Sequence, residues 1–187
     1  MSNEVSEGLE GASGSSEVTL EKPEKPREDP RKYLDLSRGD RMSDGNLDTI
    51  PSEIKGKALK QIEYETGLMI GDSCEWSTYF HSNGNTFVID RFKGRLNNHD
   101  VEVVPRDGWY QEITLDGMVL TESESLKLIP RLKFALETLE LAQKGSLKED
   151  RLSIWQSKDL EKLSAAERAR RKGIEEALKD LKIDFPE

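Results

Sequence analysis

Two stretches decide the fold: Trp76-Ser-Thr-Tyr-Phe-His-Ser-Asn83-Gly84-Asn-Thr-Phe-Val-Ile-Asp90 and Ile113-Thr-Leu-Asp116-Gly117-Met-Val-Leu120. Each places an Asn-Gly or Asp-Gly pair between runs of β-branched and aromatic residues. That pattern signals a tight hairpin, because both central residues of such a turn need a positive φ. A two-residue loop at Asn83-Gly84 sets Phe80 against Phe87, Thr78 against Ile89 and Trp76 against Arg91. One face then carries Trp76, Thr78, Phe80, Phe87 and Ile89 as core. The other carries Glu75, Ser77, Tyr79, His81, Val88, Asp90 and Phe92, and is half polar. In the second hairpin Leu115 meets Met118 and Ile113 meets Leu120.

Outward from these hairpins the pattern becomes helical. Thr49-Ile50-Pro51-Ser52-Glu53 opens a helix with Ile54, Ala58, Leu59 and Ile62 on one side, and Thr66-Gly67 closes it. Gly71-Asp72-Ser73 reads as a turn into the sheet. Asn97-Asn98-His99-Asp100 is a second turn cluster, followed by a short strand at Val101, Val103 and Val104, and Trp109 to Leu115 is the next strand. Thr121-Glu-Ser-Glu124 is a capping box for a long helix whose stripe is Leu128, Leu132, Ala135, Leu136, Leu139 and Ala142. Pro130 should kink that helix or delay its start. Ser146-Leu-Lys-Glu149 and Ser164-Ala-Ala-Glu167 are two further capping boxes.

The fold class is therefore α+β: an N-terminal helix, an antiparallel sheet of about four to six strands, a long helix on one face and a C-terminal helical extension. The expected division is a disordered tail over 1–48, a core over 49–145 and the extension over 146–187. The tail is rich in Gly, Ser and Glu and then holds three prolines between Glu21 and Pro30. Such composition does not offset an ordering cost of roughly 1–2 kcal/mol per residue. Tyr33-Leu34-Asp35-Leu36 is an apolar island within it, suited to docking on a partner.

Composition narrows the function. Of 187 residues 35% are charged, 34% are hydrophobic, and the net charge is -9. A chain this acidic repels phosphate, which argues against non-specific nucleic-acid binding. The single cysteine, Cys74, excludes an intrachain disulfide framework. The chain opens without a basic and apolar leader, and no run approaches the 18 or so apolar residues of a membrane span, so a cytoplasmic, membrane-free protein is expected.

Candidate chemistry is sparse. Cys74 and His81, with Asp72 or Glu75, lack the spacing of a zinc site, and no cofactor is expected. Asp90-Arg-Phe-Lys93 and Glu102, with Asp72, supply the residue types of a metal-dependent hydrolase or nuclease, provided two acids reach one cation. Arg168, Arg170, Arg171 and Lys172 form the sharpest basic cluster. They suit a nucleic acid or an acidic partner, and Glu167, Glu175 and Glu176 around them equally suit intrahelix pairing. Tyr79, Val88 and Phe92 lie on the second sheet face, to be covered by the C-terminal helices or by another molecule. The leading expectation is a non-enzymatic protein-binding module: an adaptor, an assembly factor, or an inhibitor or regulator of a partner protein. A nucleic-acid factor using the basic helix and a small metal-dependent hydrolase are the alternatives.

Overall fold

The computed structural model describes residues 34–106, 111–147 and 164–183. Six strands form one antiparallel meander in sequence order. They are β1 (Arg41–Asn46), β2 (Ile70–His81), β3 (Thr86–Leu96), β4 (His99–Pro105), β5 (Gln111–Leu115) and β6 (Met118–Val119). Helix α1 (Ser52–Thr66) connects β1 to β2, α2 (Glu122–Gln143) follows β6, and α3 (Ala165–Asp180) comes last among the described residues. The architecture is α+β, as the pattern predicts.

The turns follow their residue chemistry. Asp116 and Gly117 have φ of 49° and 78° and pair Leu115 with Met118, the expected tight hairpin. Asn97 and Asn98 take φ of 49° and 69° and join β3 to β4 in the same way. Asn97 does more than turn the chain. Its side chain accepts from the Met69 N–H at 2.7 Å and donates to the Gly67 carbonyl at 3.0 Å, tying the exit of α1 to the sheet.

The Asn83-Gly84 loop differs from expectation. Ser82–Gly84 is a short 3-10 turn, and Asn85, at φ 47°, takes the left-handed position. A four-residue loop centred on the same point leaves the pairing unchanged, so Phe80 still meets Phe87 and Thr78 meets Ile89. Beyond that the register slips by one. Ser77 pairs with Arg91, and Trp76 pairs with Phe92 rather than Arg91. Asp90 is the extra residue of a β-bulge, which inverts the alternation of everything after it. Phe92 is thereby turned onto the core face, where it is completely buried. Gly71-Asp72-Ser73, expected as a turn, is a second irregularity within β2, between the pairs Ile70–Leu96 and Cys74–Gly94.

One core-face row crosses five strands: Gly45, Trp76, Phe92, Val103 and Ile113. Above it lie Ala58 and Ile62 of α1, the stripe Leu128, Leu132, Ala135, Leu136, Leu139 and Ala142 of α2, and Ile174 and Leu178 of α3, in a single cluster. Fully burying such a side chain stabilises by about 1.5–3 kcal/mol, so this layer supplies the main drive to fold. Helix α2 starts at Glu122 on the Thr121–Glu124 capping box and continues through Pro130, without the delayed start. Helix α3 starts on the Ser164–Glu167 box. Lys148 and Glu149 of the expected Ser146–Glu149 box, Trp109, Tyr110 and residues 1–33 lie outside the described residues.

The fold begins earlier than residue 49. Leu36–Arg38 forms a 3-10 turn and Arg41–Asn46 pairs with β2, so residues 34–48 belong to the folded unit rather than to a disordered tail. Asp40 anchors this entry. Its carboxylate accepts from the Asp35 N–H at 3.1 Å and the Ser82 N–H at 3.0 Å, and lies 3.1 Å from His81 Nδ1.

Candidate contact surfaces

The second sheet face is built by the alternate residues. Across β1, β2 and β3 it carries the row Met42, Tyr79 and Val88. The next rows are Asp44, Ser77 and Arg91, and then Glu75, Lys93 and Glu102. Opposite charges in register across strands explain the outer row as a solvated, self-compensating surface. The Tyr79 ring is only 7% exposed, and Met42 and Val88 are half-buried. Burial, and after it the Asp90 charge, push the Tyr79 phenol above its ordinary range. Tyr79 and Val88 thus meet across two strands as the register predicts, whereas Phe92 does not share their face. Nor does α3 lie over them. It joins the helical layer through Arg170 to Glu65 of α1, the Arg170 guanidinium over the Tyr64 ring at 4.9 Å, and Lys127 of α2 to Asp180 at 2.8 Å.

Those contacts divide the basic cluster. Arg170 serves as a structural clamp between α3 and α1. Arg168, Arg171 and Lys172 are exposed, with Lys172 3.8 Å from Glu176.

The acids proposed for metal chemistry are not gathered. Glu102 pairs with Lys93, and Asp90 sits three residues from Lys93 along β3, about 10 Å away at strand spacing. Asp72 lies five residues along β2 from Ser77, where the Asp90 bulge sits, roughly 17 Å away at strand spacing. Among the described residues no group of three or more His, Cys, Asp and Glu side chains is placed to hold a metal ion. Cys74 and His81 are seven residues apart on one strand and on opposite faces. Burial, then the Asp48 charge, push the Cys74 thiol up to about 12, far from the thiolate a nucleophile needs.

A surface that the sequence reading missed lies at the far edge of the sheet. Six large apolar side chains remain exposed among the described residues, and three fall between positions 118 and 126: Met118 at 64%, Val119 at 61% and Leu126 at 66%. Met118 and Val119 form β6, the last strand of the sheet. The Asp116-Gly117 turn predicts the pairing of Leu115 with Met118 but not that β6 stands last in spatial order among the described strands. The one available signal is that only Met118 to Leu120 separate the Asp116-Gly117 turn from the Thr121 cap, too few residues for a full strand. No family model matches this sequence, and no curated protein and no solved structure matches it. No described helix is long and apolar enough to cross a membrane.

Proposed function

We propose that this chain is a non-enzymatic protein-binding module, an adaptor, assembly factor or regulator of another protein. The observation that supports this most is the pair of exposed apolar side chains Met118 and Val119 on the terminal strand of the sheet, with Leu126 also exposed in the first turns of α2. An exposed sheet edge offers backbone hydrogen bonds, and exposed apolar side chains beside it offer area to bury. The dispersal of Asp72, Asp90 and Glu102 favours binding over metal-assisted hydrolysis. The pairing of Arg170 with Glu65 leaves a nucleic-acid role a smaller set of cations.

Cross-linking the full chain in its cell of origin, followed by mass spectrometry and reconstitution of any captured protein, tests this reading. A stoichiometric partner that binds the purified chain is the expected result. Failure of every captured protein to bind on reconstitution, or turnover of a substrate by the chain alone, would overturn it.

A further inference from the structure

We propose that α3 is a reversible cover, seated in cis on a groove of α1 and α2 that an amphipathic helix of the partner protein takes over. That occupant rests on the protein-binding reading above; the release of α3 does not. Of the 16 residues of α3 only Ile174 and Leu178 are buried, and Leu181 and Ile183 add to them just past its end. Helix α2 buries eight of its 22 residues, and α1 is fixed at both ends by the strands it joins. The first two turns of α3 bury no residue. Polar contacts at the surface hold them. The Tyr64 hydroxyl donates to Glu167 Oε1 at 3.4 Å, and Arg170 pairs with the Glu65 carboxylate and donates to the Glu65 carbonyl at 3.3 Å. Lys127 to Asp180, at 2.8 Å, secures the far end. Exposed pairs of this kind are weak and are screened by salt.

Two residues loosen the seat with no packing need. Gly173 lowers the helix propensity of α3, although a Cβ there would meet nothing within 4 Å. Lys182 takes φ 57° in the turn that ends α3, where its N–H donates to the Lys179 carbonyl and the Ile183 N–H to the Leu178 carbonyl. Glycine suits that left-handed position best. Residues 144–164 join α2 to α3. At about 3.3 Å per extended residue, that is chain enough for α3 to leave its seat while tethered.

What α3 presents to the groove defines the helix that can replace it. Ile174, Leu178 and Leu181 recur at helical spacing as one buried apolar stripe. Arg170 stands one turn before that stripe and Asp180 near its end. The groove therefore offers Glu65 and the Tyr64 ring at one end and Lys127 at the other. A partner helix with a cation one turn ahead of such a stripe, and an acid at its far end, satisfies both. The reverse orientation brings like charges together and is rejected.

The probe is a synthetic, fluorescently labelled peptide of residues 164–183. It is titrated into the full chain as wild type, as Gly173→Ala, and as the double variant Arg170→Ala with Asp180→Ala, each shown to be folded by its thermal melt. The peptide competes with the cis helix for the groove. It should bind about threefold more weakly to Gly173→Ala, whose own helix sits tighter. It should bind about tenfold more tightly to the double variant, whose helix has lost both end pairs. Hydrogen exchange of the unliganded proteins should show α3 opening on its own, about tenfold or more faster than the innermost amides of β2 and β3, and faster still in the double variant. No peptide binding, equal affinity for all three proteins, or α3 amides that exchange at the rate of the sheet would overturn the cover. A concentration-dependent dimer formed by exchange of α3 between copies would overturn the partner helix as occupant. Binding at β6 is untouched by these outcomes, and the cross-linking experiment decides it separately.

Discussion

Gly45 and Trp76 face each other across β1 and β2, and a Cβ on Gly45 would lie 2.1 Å from the Trp76 ring. The indole is 3% exposed, so it fills the space that a side chain on β1 would take. No flexible tip is available to give way, because the clash is with the ring itself. Gly45→Ala should therefore destabilise the protein by about 1–3 kcal/mol, the usual cost of overpacking. Urea unfolding of the full chain measures it. An unchanged midpoint would mean that Trp76 does not lie over β1.

Glycines elsewhere should respond in the opposite direction. Gly56 in α1 and Gly173 in α3 have nothing within 4 Å of an added Cβ and keep ordinary helical backbone. Alanine at either position should raise stability by about 0.5–1 kcal/mol through helix propensity alone. The same unfolding measurement checks this.

Thr78 and Glu140, both buried, join the sheet to α2: the Thr78 hydroxyl donates to Glu140 Oε1, and Lys144 Nζ stands 3.5 Å from Oε2. Thr78→Val keeps the shape and removes that donor. Leaving a buried acceptor short of a partner costs about 1–3 kcal/mol. Thr78→Val combined with Glu140→Leu should cost less than the sum of the two single changes, since the pair couples directly. Additive losses would show that the contact carries no coupling.

Acid should loosen the N-terminal entry. The Asp35 N–H, then His81 and the Ser82 N–H, hold the Asp40 carboxyl down at about 2, from an ordinary 3.8. A carboxylate depressed in the folded state contributes stability that is fully present above 3.8. That contribution is lost as pH falls towards 2. Asp40→Asn should flatten the stability profile across this window and lower stability at neutral pH. A profile identical to wild type between pH 4 and 2 would exclude Asp40 as the linked group.

The parts legible in the sequence were those fixed by local chemistry. Asp116-Gly117, the Thr121 and Ser164 capping boxes and the leucine stripe of α2 each follow from backbone geometry or helical spacing over a few residues. Asn83-Gly84 gave the right pairing through a different turn, because a longer loop with the same centre conserves register. The Asp90 bulge was harder to see. Its signal was the broken spacing of Phe87, Ile89 and Phe92, where strict alternation would place an apolar residue at 91. Arg41–Asn46 has no strand pattern of its own. It forms a strand because β2 offers it a pairing edge and Trp76 demands a glycine. The exposed corner at β6 depends on which strand ends the sheet, a property of spatial order that no local pattern encodes.

Backbone hydrogen exchange of the full chain, alone and saturated with the partner identified by cross-linking, tests the central claim most directly. Slowed exchange centred on Val119 and extending to Leu126 is the predicted result. Protection confined to the Met42, Tyr79 and Val88 face or to the Arg168–Lys172 turn of α3, with Val119 unchanged, would contradict it.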